Sequence, residues 1–172
     1  MDKVDISVVL PVFNERENIS PLLADLNESL TGTGKTFEII FIDDGSTDGS
    51  LEKLKELQAL DPNVLVIEFR RNFGQTAALA AGLRYSNGEV VITLDADRQN
   101  DPKDIPMLLN EIDKGMDLVC GWRHDRKDGL WLRLLPSRIA NRLISMTTDV
   151  KLNDYGCTLK AMRRDVAKKL RL

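Results

Sequence analysis

Asp95 and Asp97 stand two residues apart, separated only by Ala96, where the apolar run VVITL (90–94) ends. Two carboxylates so placed repel one another and resist burial unless something cationic offsets them. Hard oxygen donors of this kind suit Mg²⁺ or Mn²⁺, ions that share their coordination with the phosphates of a substrate. Gln99 could add a third oxygen. Extended spacing of two residues would turn both carboxylates toward one point. The competing reading has Asp97 begin a turn and cap the helix that starts at Pro102, with Asp95 paired to a nearby arginine. Asp101, directly before Pro102, is the better cap, and the metal reading is preferred.

Other segments carry chemistry less specifically. In DDGSTDGS (43–50) turn chemistry accounts for Gly45, Ser46 and Asp48, but not for two acids, Asp43 and Asp44, at a strand end. One of these could accept hydrogen bonds from a nucleobase or ribose. PVFNERENI (11–19) combines a helix start with possible ligand contacts, and Asn14 reads equally well as a cap. Arg133, Ser137 and Asn141 are spaced i, i+4, i+8 on one helical face, with Arg138 and Arg142 beside them and Arg123 after a strand. Such a stripe could bind phosphate, and it could equally be a solvated basic face. His124 and Cys157 show no partner that would make either catalytic. GTGKT (32–36) follows a helix and precedes a strand, the reverse of a phosphate-binding P-loop, and no G-x-G-x-x-G follows a strand.

Alternating elements must position these residues. Apolar β-branched runs at 5–13, 37–44, 63–69, 89–95 and 117–122 predict strands, and helical spacing at 19–30, 51–60, 75–85 and 102–113 predicts helices between them. Near-continuous apolar strands with helical crossovers predict an α/β protein with a mostly parallel central sheet covered on both faces. Ligands of such sheets lie beyond the carboxyl ends of the strands, so Asn14 and Glu15, Asp43 and Asp44, and Asp95 and Asp97 should converge. Residues 159–172, LKAMRRDVAKKLRL, read as a basic amphipathic helix running to the last residue, which leads us to expect one catalytic domain over 1–172 that continues in a longer natural chain.

The chain has 172 residues, 42% hydrophobic and 30% charged, enough for one core and against disorder. Its net charge of −3 conceals an asymmetry. Residues 1–120 hold 11 Lys and Arg against 22 Asp and Glu, whereas residues 121–172 hold 13 against 5. That split suggests an anionic partner for the second segment. Cys120 and Cys157 form no CxxC pair, make no zinc site with His124 and imply a reduced, cytoplasmic compartment. No run approaches a membrane span, and the N-terminus lacks the long apolar core of a signal peptide. Trp122 and Trp131 fit a core or a membrane interface equally well.

SVVLPVFNEREN, FIDDGSTDGS, RNFGQTAALAAGL, GEVVITLDADRQNDP, R-x-x-x-S-x-x-x-N (133–141) and DYGCTLKAMRRD together resemble family 2 glycosyltransferases of the GT-A fold, in particular the polyprenyl-phosphate group that includes dolichol-phosphate mannose synthases. The resemblance implies that Asp95, Asp97 and Gln99 hold Mg²⁺ or Mn²⁺ against a sugar nucleotide's diphosphate. It implies further that Pro11, Phe13, Glu15 and Asp44, with Asp43, cradle the nucleoside, that Arg123, Arg133, Ser137 and Asn141 receive the lipid phosphate, and that Asp154 lies on the acceptor side. Asp97, Arg123 and Asp154 are the expected catalytic set. Arg98 stands where this family usually has Leu, which puts the electrostatics of the metal site in question.

The expected reaction moves a sugar, with inversion, from a UDP- or GDP-sugar to an undecaprenyl- or dolichyl-type phosphate at the cytoplasmic membrane surface, to which the enzyme is peripheral or anchored. Nucleic acid is not an expected partner, and self-association stays open. Two rivals remain on the sequence: a family 2 transferase with a hydroxyl acceptor, for which Asp154 would act as base, and a phosphoryl-transfer domain with Asp95 as nucleophile. A non-catalytic nucleotide-binding module is a further alternative.

Overall fold

The computed structural model describes residues 4–121 and 157–170. Its elements are β1 (Ile6–Val12), α1 (Arg16–Thr31), β2 (Phe37–Asp43), α2 (Ser50–Leu60), β3 (Val64–Glu68), α3 (Gln75–Tyr85), β4 (Val90–Thr93), a 3₁₀ turn (Pro102–Asp104), α4 (Ile105–Asp113), β5 (Leu118–Cys120), β6 (Lys160–Arg163) and α5 (Arg164–Lys169). The six strands form one sheet in the order β3-β2-β1-β4-β6-β5. Strands β1 to β4 are parallel, while β6 runs antiparallel to both β4 and β5. The expected α/β architecture with a mostly parallel, helix-covered sheet is therefore present.

The chain first steps outward from β1 to β2 to β3, then returns across to β4 on the other side of β1. Right-handed crossovers require the covering helices to change face at that reversal. Accordingly the apolar side chains of α1 and α2, among them Leu22, Leu26 and Leu54, pack on one face with Val8, Leu10 and Phe41; Leu108 of α4 joins that face too, although the β4-to-β5 crossover runs in the same direction as that of α3 and departs from the rule. Ala78 and Leu83 of α3 and Ala167 of α5 pack on the other with Val9, Ile40 and Val91. The reversal falls between β1 and β4, and in open α/β sheets the crevice beyond such a switch point is the binding site.

The final segment corrects the expectation of one helix over 159–172. Residues 160–163 instead form β6, which fills the slot between β4 and β5, and only Arg164–Lys169 is helical. Three of the basic residues there are occupied on backbone carbonyls. Lys168 Nζ donates to the carbonyls of Leu83, Arg84 and Ser86 at the end of α3. Arg164 donates to those of Gly88 and Asn87, and Arg163 to that of Ile112 in the last turn of α4. Cations at helix carboxyl termini answer otherwise unpaired carbonyls and the negative end of the dipole. The charges of Arg163, Arg164 and Lys168 are thus used within the fold.

At the opposite edge of the sheet from the switch point, Ser7 Oγ donates to Glu38 Oε1 at 2.5 Å and accepts from the Gly88 amide at 2.7 Å. Ser7 is fully buried and Glu38 nearly so, so this network ties β1 to β2 and to the turn before β4. A Cβ at Gly88 would lie 2.3 Å from the backbone nitrogen of Ser7. Gly88→Ala should therefore destabilise the fold by about 1–3 kcal/mol through overpacking against backbone, measured as a lowered urea midpoint at unchanged slope.

Candidate active site

The carboxyl ends of β2, β1 and β4 lie side by side, and each continues into an acidic or amide-rich loop. In register, Val12 of β1 pairs with Asp43 of β2, and Val9 with Thr93 of β4. Strand β4 ends at Thr93, two residues earlier than the sequence suggests, so Asp95, Ala96 and Asp97 lie in a turn and not in an extended strand. Buried Ala96 anchors that turn between two half-buried carboxylates. The Asp97 Oδ1 accepts from the Gln99 amide at 3.0 Å, and Asp101 caps the following turn through the Lys103 amide, as expected of Asp101.

Arg98 adopts a left-handed backbone (φ 60°) and its guanidinium pairs with Asp25 of α1 at 3.1 Å. The unusual arginine therefore points its charge at α1. Behind the turn, buried Asn100 donates to Thr158 Oγ1 at 3.1 Å, and the Thr93 hydroxyl donates to the Thr158 carbonyl at 2.7 Å. Cys157 is buried, with its Sγ 3.4 Å from Asn100 Oδ1, which supports packing over nucleophilic chemistry. Burial also pushes the Cys120 thiol up, with a smaller upward push from Cys157 and a downward one from Lys160.

Asp43 and Asp44, indistinguishable in the sequence, have different surroundings. Asp44 is buried and accepts from the amides of Phe73 and Gly74 at 2.7 and 2.9 Å, one on each oxygen. Asp43 is also buried; its Oδ2 accepts from the Ser46 amide, while Oδ1 has no hydrogen-bond partner among the described residues. An orphaned buried acceptor is costly and suits a group that a bound ligand completes. The close approach of residues 71–73 depends on Gly45, at φ 72°, where a Cβ would lie 2.5 Å from the Arg71 backbone. The next residue along, Gln75, donates from Nε2 to Asp95 Oδ1 at 2.7 Å. Gln75 lies in RNFGQTAALAAGL, one of the motifs that carry the family resemblance, although the resemblance assigns it no role.

The β1–α1 junction explains the rest of DDGSTDGS. Three successive amides, of Asn14, Glu15 and Arg16, donate to Ser46 Oγ, Ser50 Oγ and Asp48 Oδ2. Asn14, at φ 57°, accepts from the Thr47 amide instead of capping α1. Helix α1 thus takes its cap from a loop more than thirty residues away, and Ser46 and Asp48 do more than begin α2. The other Asp48 oxygen accepts from the Ser50 amide and hydroxyl at the start of α2. Desolvation pushes the Asp48 carboxyl up, but these hydrogen bonds from Ser50 and Arg16 outweigh it and hold it below the usual aspartate value. Glu15 lines a cleft of about 310 Å³ with Asn14, Arg16, Glu17, Asn18 and Asp48. Pro11 is half-buried beside Ile42, and Phe13 is 47% exposed beyond the strand.

Among the described residues no three His, Cys, Asp or Glu cluster closely enough to hold a metal ion by themselves. The donor set at 95–99, two half-buried carboxylates with a carboxamide nearby and the thiols elsewhere, fits a hard divalent cation held jointly with a phosphate ligand. Arg123, His124, Trp122, Trp131, Arg133, Ser137, Asn141 and Asp154 lie outside the described residues. Among those described, no helix is long and apolar enough to cross a membrane.

Comparison with known proteins bears on this geometry. The model of glycosyl transferase family 2 matches residues 7–171. The chain is 42% identical, over its whole length, to a dodecaprenyl-phosphate galacturonate synthase of Rhizobium johnstonii, of which it covers 52%. It is 44% identical over 95% of its length to an undecaprenyl-phosphate 4-deoxy-4-formamido-L-arabinose transferase of Edwardsiella ictaluri, of which it covers 50%. It therefore spans about half the length of these curated relatives. Glucosyl-3-phosphoglycerate synthase from Mycobacterium tuberculosis, solved with Mn²⁺, UDP and phosphoglyceric acid, superposes with a TM-score of 0.71 at 22% identity over 95% of this chain and 57% of that one. A mannosyltransferase from Pyrobaculum calidifontis, solved with GDP-mannose and Mn²⁺, gives 0.66 at 21% identity over 98% of this chain and 47% of that one. These likenesses establish the GT-A fold.

The double cap predicts a pH-dependent effect. Because its folded-state pKa is depressed, Asp48 stabilises the fold above the unfolded aspartate value near ~3.9, and that contribution is lost as pH falls through the lower folded value. Asp48→Ala should cost about 1 kcal/mol at pH 7, with the gap to wild type closing on acidification in chemical denaturation at stepped pH.

Proposed function

This chain belongs to glycosyl transferase family 2, and from that premise we propose that it is the donor-binding catalytic part of an enzyme that transfers a sugar from a nucleotide diphosphate to a polyprenyl phosphate. The observation that carries the reading is the identity of 42–44% to two polyprenyl-phosphate sugar transferases. The local geometry supports it, since the acidic turn after β4 sits beside β1 at the sheet's switch point.

In this reading Asp95 and Asp97, with Gln99, hold Mg²⁺ or Mn²⁺. The ion, when bound, supplies Lewis-acid stabilisation of the leaving diphosphate. Pro11, Phe13, Glu15, Asp43 and Asp44 form the nucleoside side. Asp43 Oδ1, buried and without a hydrogen-bond partner among the described residues, is the acceptor assigned to the base or ribose, while Asp44 holds the wall through Phe73 and Gly74.

Arg123, Arg133, Ser137 and Asn141 receive the acceptor's phosphate, and Asp154 lies on that side. A phosphate monoester has a second pKa near ~6 and is already a dianion at pH 7, so no strong base is required. One of its oxygens attacks the anomeric carbon from the face opposite the diphosphate. The carbon–oxygen bond to the diphosphate breaks with its electron pair, and configuration inverts. Attraction to an anionic membrane face falls mainly to the seven Lys and Arg between 122 and 156, because Arg163, Arg164 and Lys168 are used on carbonyls and Lys169 pairs with Asp165.

The test is radiolabelled transfer by the full-length protein from a panel of UDP- and GDP-sugars. Product should form on undecaprenyl phosphate and not on free sugars, and Asp97→Ala should reduce it about 100-fold or more. Undiminished transfer by the variant, transfer to hydroxyl acceptors alone, or an aspartyl-phosphate trapped on Asp95 would each contradict the reading.

A further inference from the structure

Residues 73–75 bridge two strands that are not neighbours. Asp44 follows β2 and Asp95 follows β4, with β1 between them. Phe73 and Gly74 place their amides on Asp44, and Gln75 places its side-chain amide on Asp95 at 2.7 Å. Three consecutive residues therefore fix the carboxylate on the nucleoside side and the carboxylate on the metal side together.

The bridge has little freedom. Gly74 takes φ 92°, a conformation open to glycine, and its carbonyl accepts from the amides of Ala77 and Ala78 as α3 begins. The Phe73 ring meets Phe69 edge-on at 5.5 Å and lies under the Arg71 guanidinium at 4.8 Å. Gln75, as the first residue of α3, has its backbone held while its side chain is exposed. Its contact with Asp95 adds little to the core. What the contact does is fix the plane of a carboxylate, and it does so with a neutral donor that brings no positive charge to compete with a cation.

We propose that Gln75 is a positioning residue: by holding Asp95 Oδ1 it sets the orientation in which Asp95 meets a divalent cation, and it couples that orientation to the Asp44 wall of the nucleoside side. The proposal rests on the metal-binding reading above. Outer partners that orient a ligating carboxylate are worth about 10–100-fold in metal affinity.

The experiment is a Mn²⁺ titration of this chain followed by electron paramagnetic resonance, with and without UDP, alongside thermal melts. Gln75→Ala should weaken Mn²⁺ binding about 10-fold while leaving the melting midpoint unchanged. Thr76→Ala, at the adjacent exposed position, should match wild type, and Asp97→Ala should abolish binding. Wild-type affinity in Gln75→Ala, with Asp97→Ala inactive in binding, would overturn this proposal and leave the site assignment standing. Equal losses in Gln75→Ala and Thr76→Ala, or a lowered melting midpoint for Gln75→Ala, would also overturn it by showing a merely structural role. No Mn²⁺ binding by the wild-type chain even with UDP would overturn both readings.

Discussion

Two backbone amides, those of Phe73 and Gly74, converge on the buried carboxylate of Asp44 at 2.7 and 2.9 Å. The carboxyl edge of the sheet depends on that kind of contact. Asp43 ends β2, and Asp44, Asp48, Asp95, Asp97 and Asp101 follow strands at this edge; so many acids would repel one another if left to solvent and to chance cations. Each accepts at least one N–H from the peptide backbone or, for Asp95, from a side-chain amide. These donors are themselves neutral. Fixed carboxylates at one strand end suit a site for a metal and a diphosphate.

The same contacts explain why the loops can be polar and yet ordered. The start of α1 has no cap of its own, and Ser46, Asp48 and Ser50 supply one from the β2–α2 loop. Arg98, in a left-handed backbone, pairs with Asp25, and Asn100 pins the end of the acidic turn to Thr158. The loops are thus tied to one another and to α1 by side-chain hydrogen bonds to backbone amides and to other side chains.

Local pattern made much of this legible. The apolar runs and helical spacings gave the order of β1 to β5 and α1 to α4, because each is set by periodicity within a dozen residues. The acidic spacing at 95–97 and the cap at Asp101 were equally local. What stayed hidden depends on distant partners. Lys160–Arg163 has the composition of a helix and became a strand because the slot between β4 and β5 needed filling, a tertiary choice that overrides propensity. Gln75 meets Asp95 across twenty residues and a crossover, and the different environments of Asp43 and Asp44 arise from the 71–74 segment, which no nearby spacing announces. The basic excess of the C-terminal segment suggested an anionic partner, yet two of its described members, Arg163 and Lys168, close helix ends.

The central claim is that the acids after β4 and the wall after β2 together receive a nucleotide diphosphate with a divalent ion. A crystal of this chain grown with UDP and Mn²⁺, with the metal located by anomalous scattering, tests it most directly. The account predicts Mn²⁺ between the carboxylates of Asp95 and Asp97 and the diphosphate oxygens, with the nucleoside reaching toward Asp43. A diphosphate bound away from residues 95–99, or a metal site that uses neither aspartate, would contradict it.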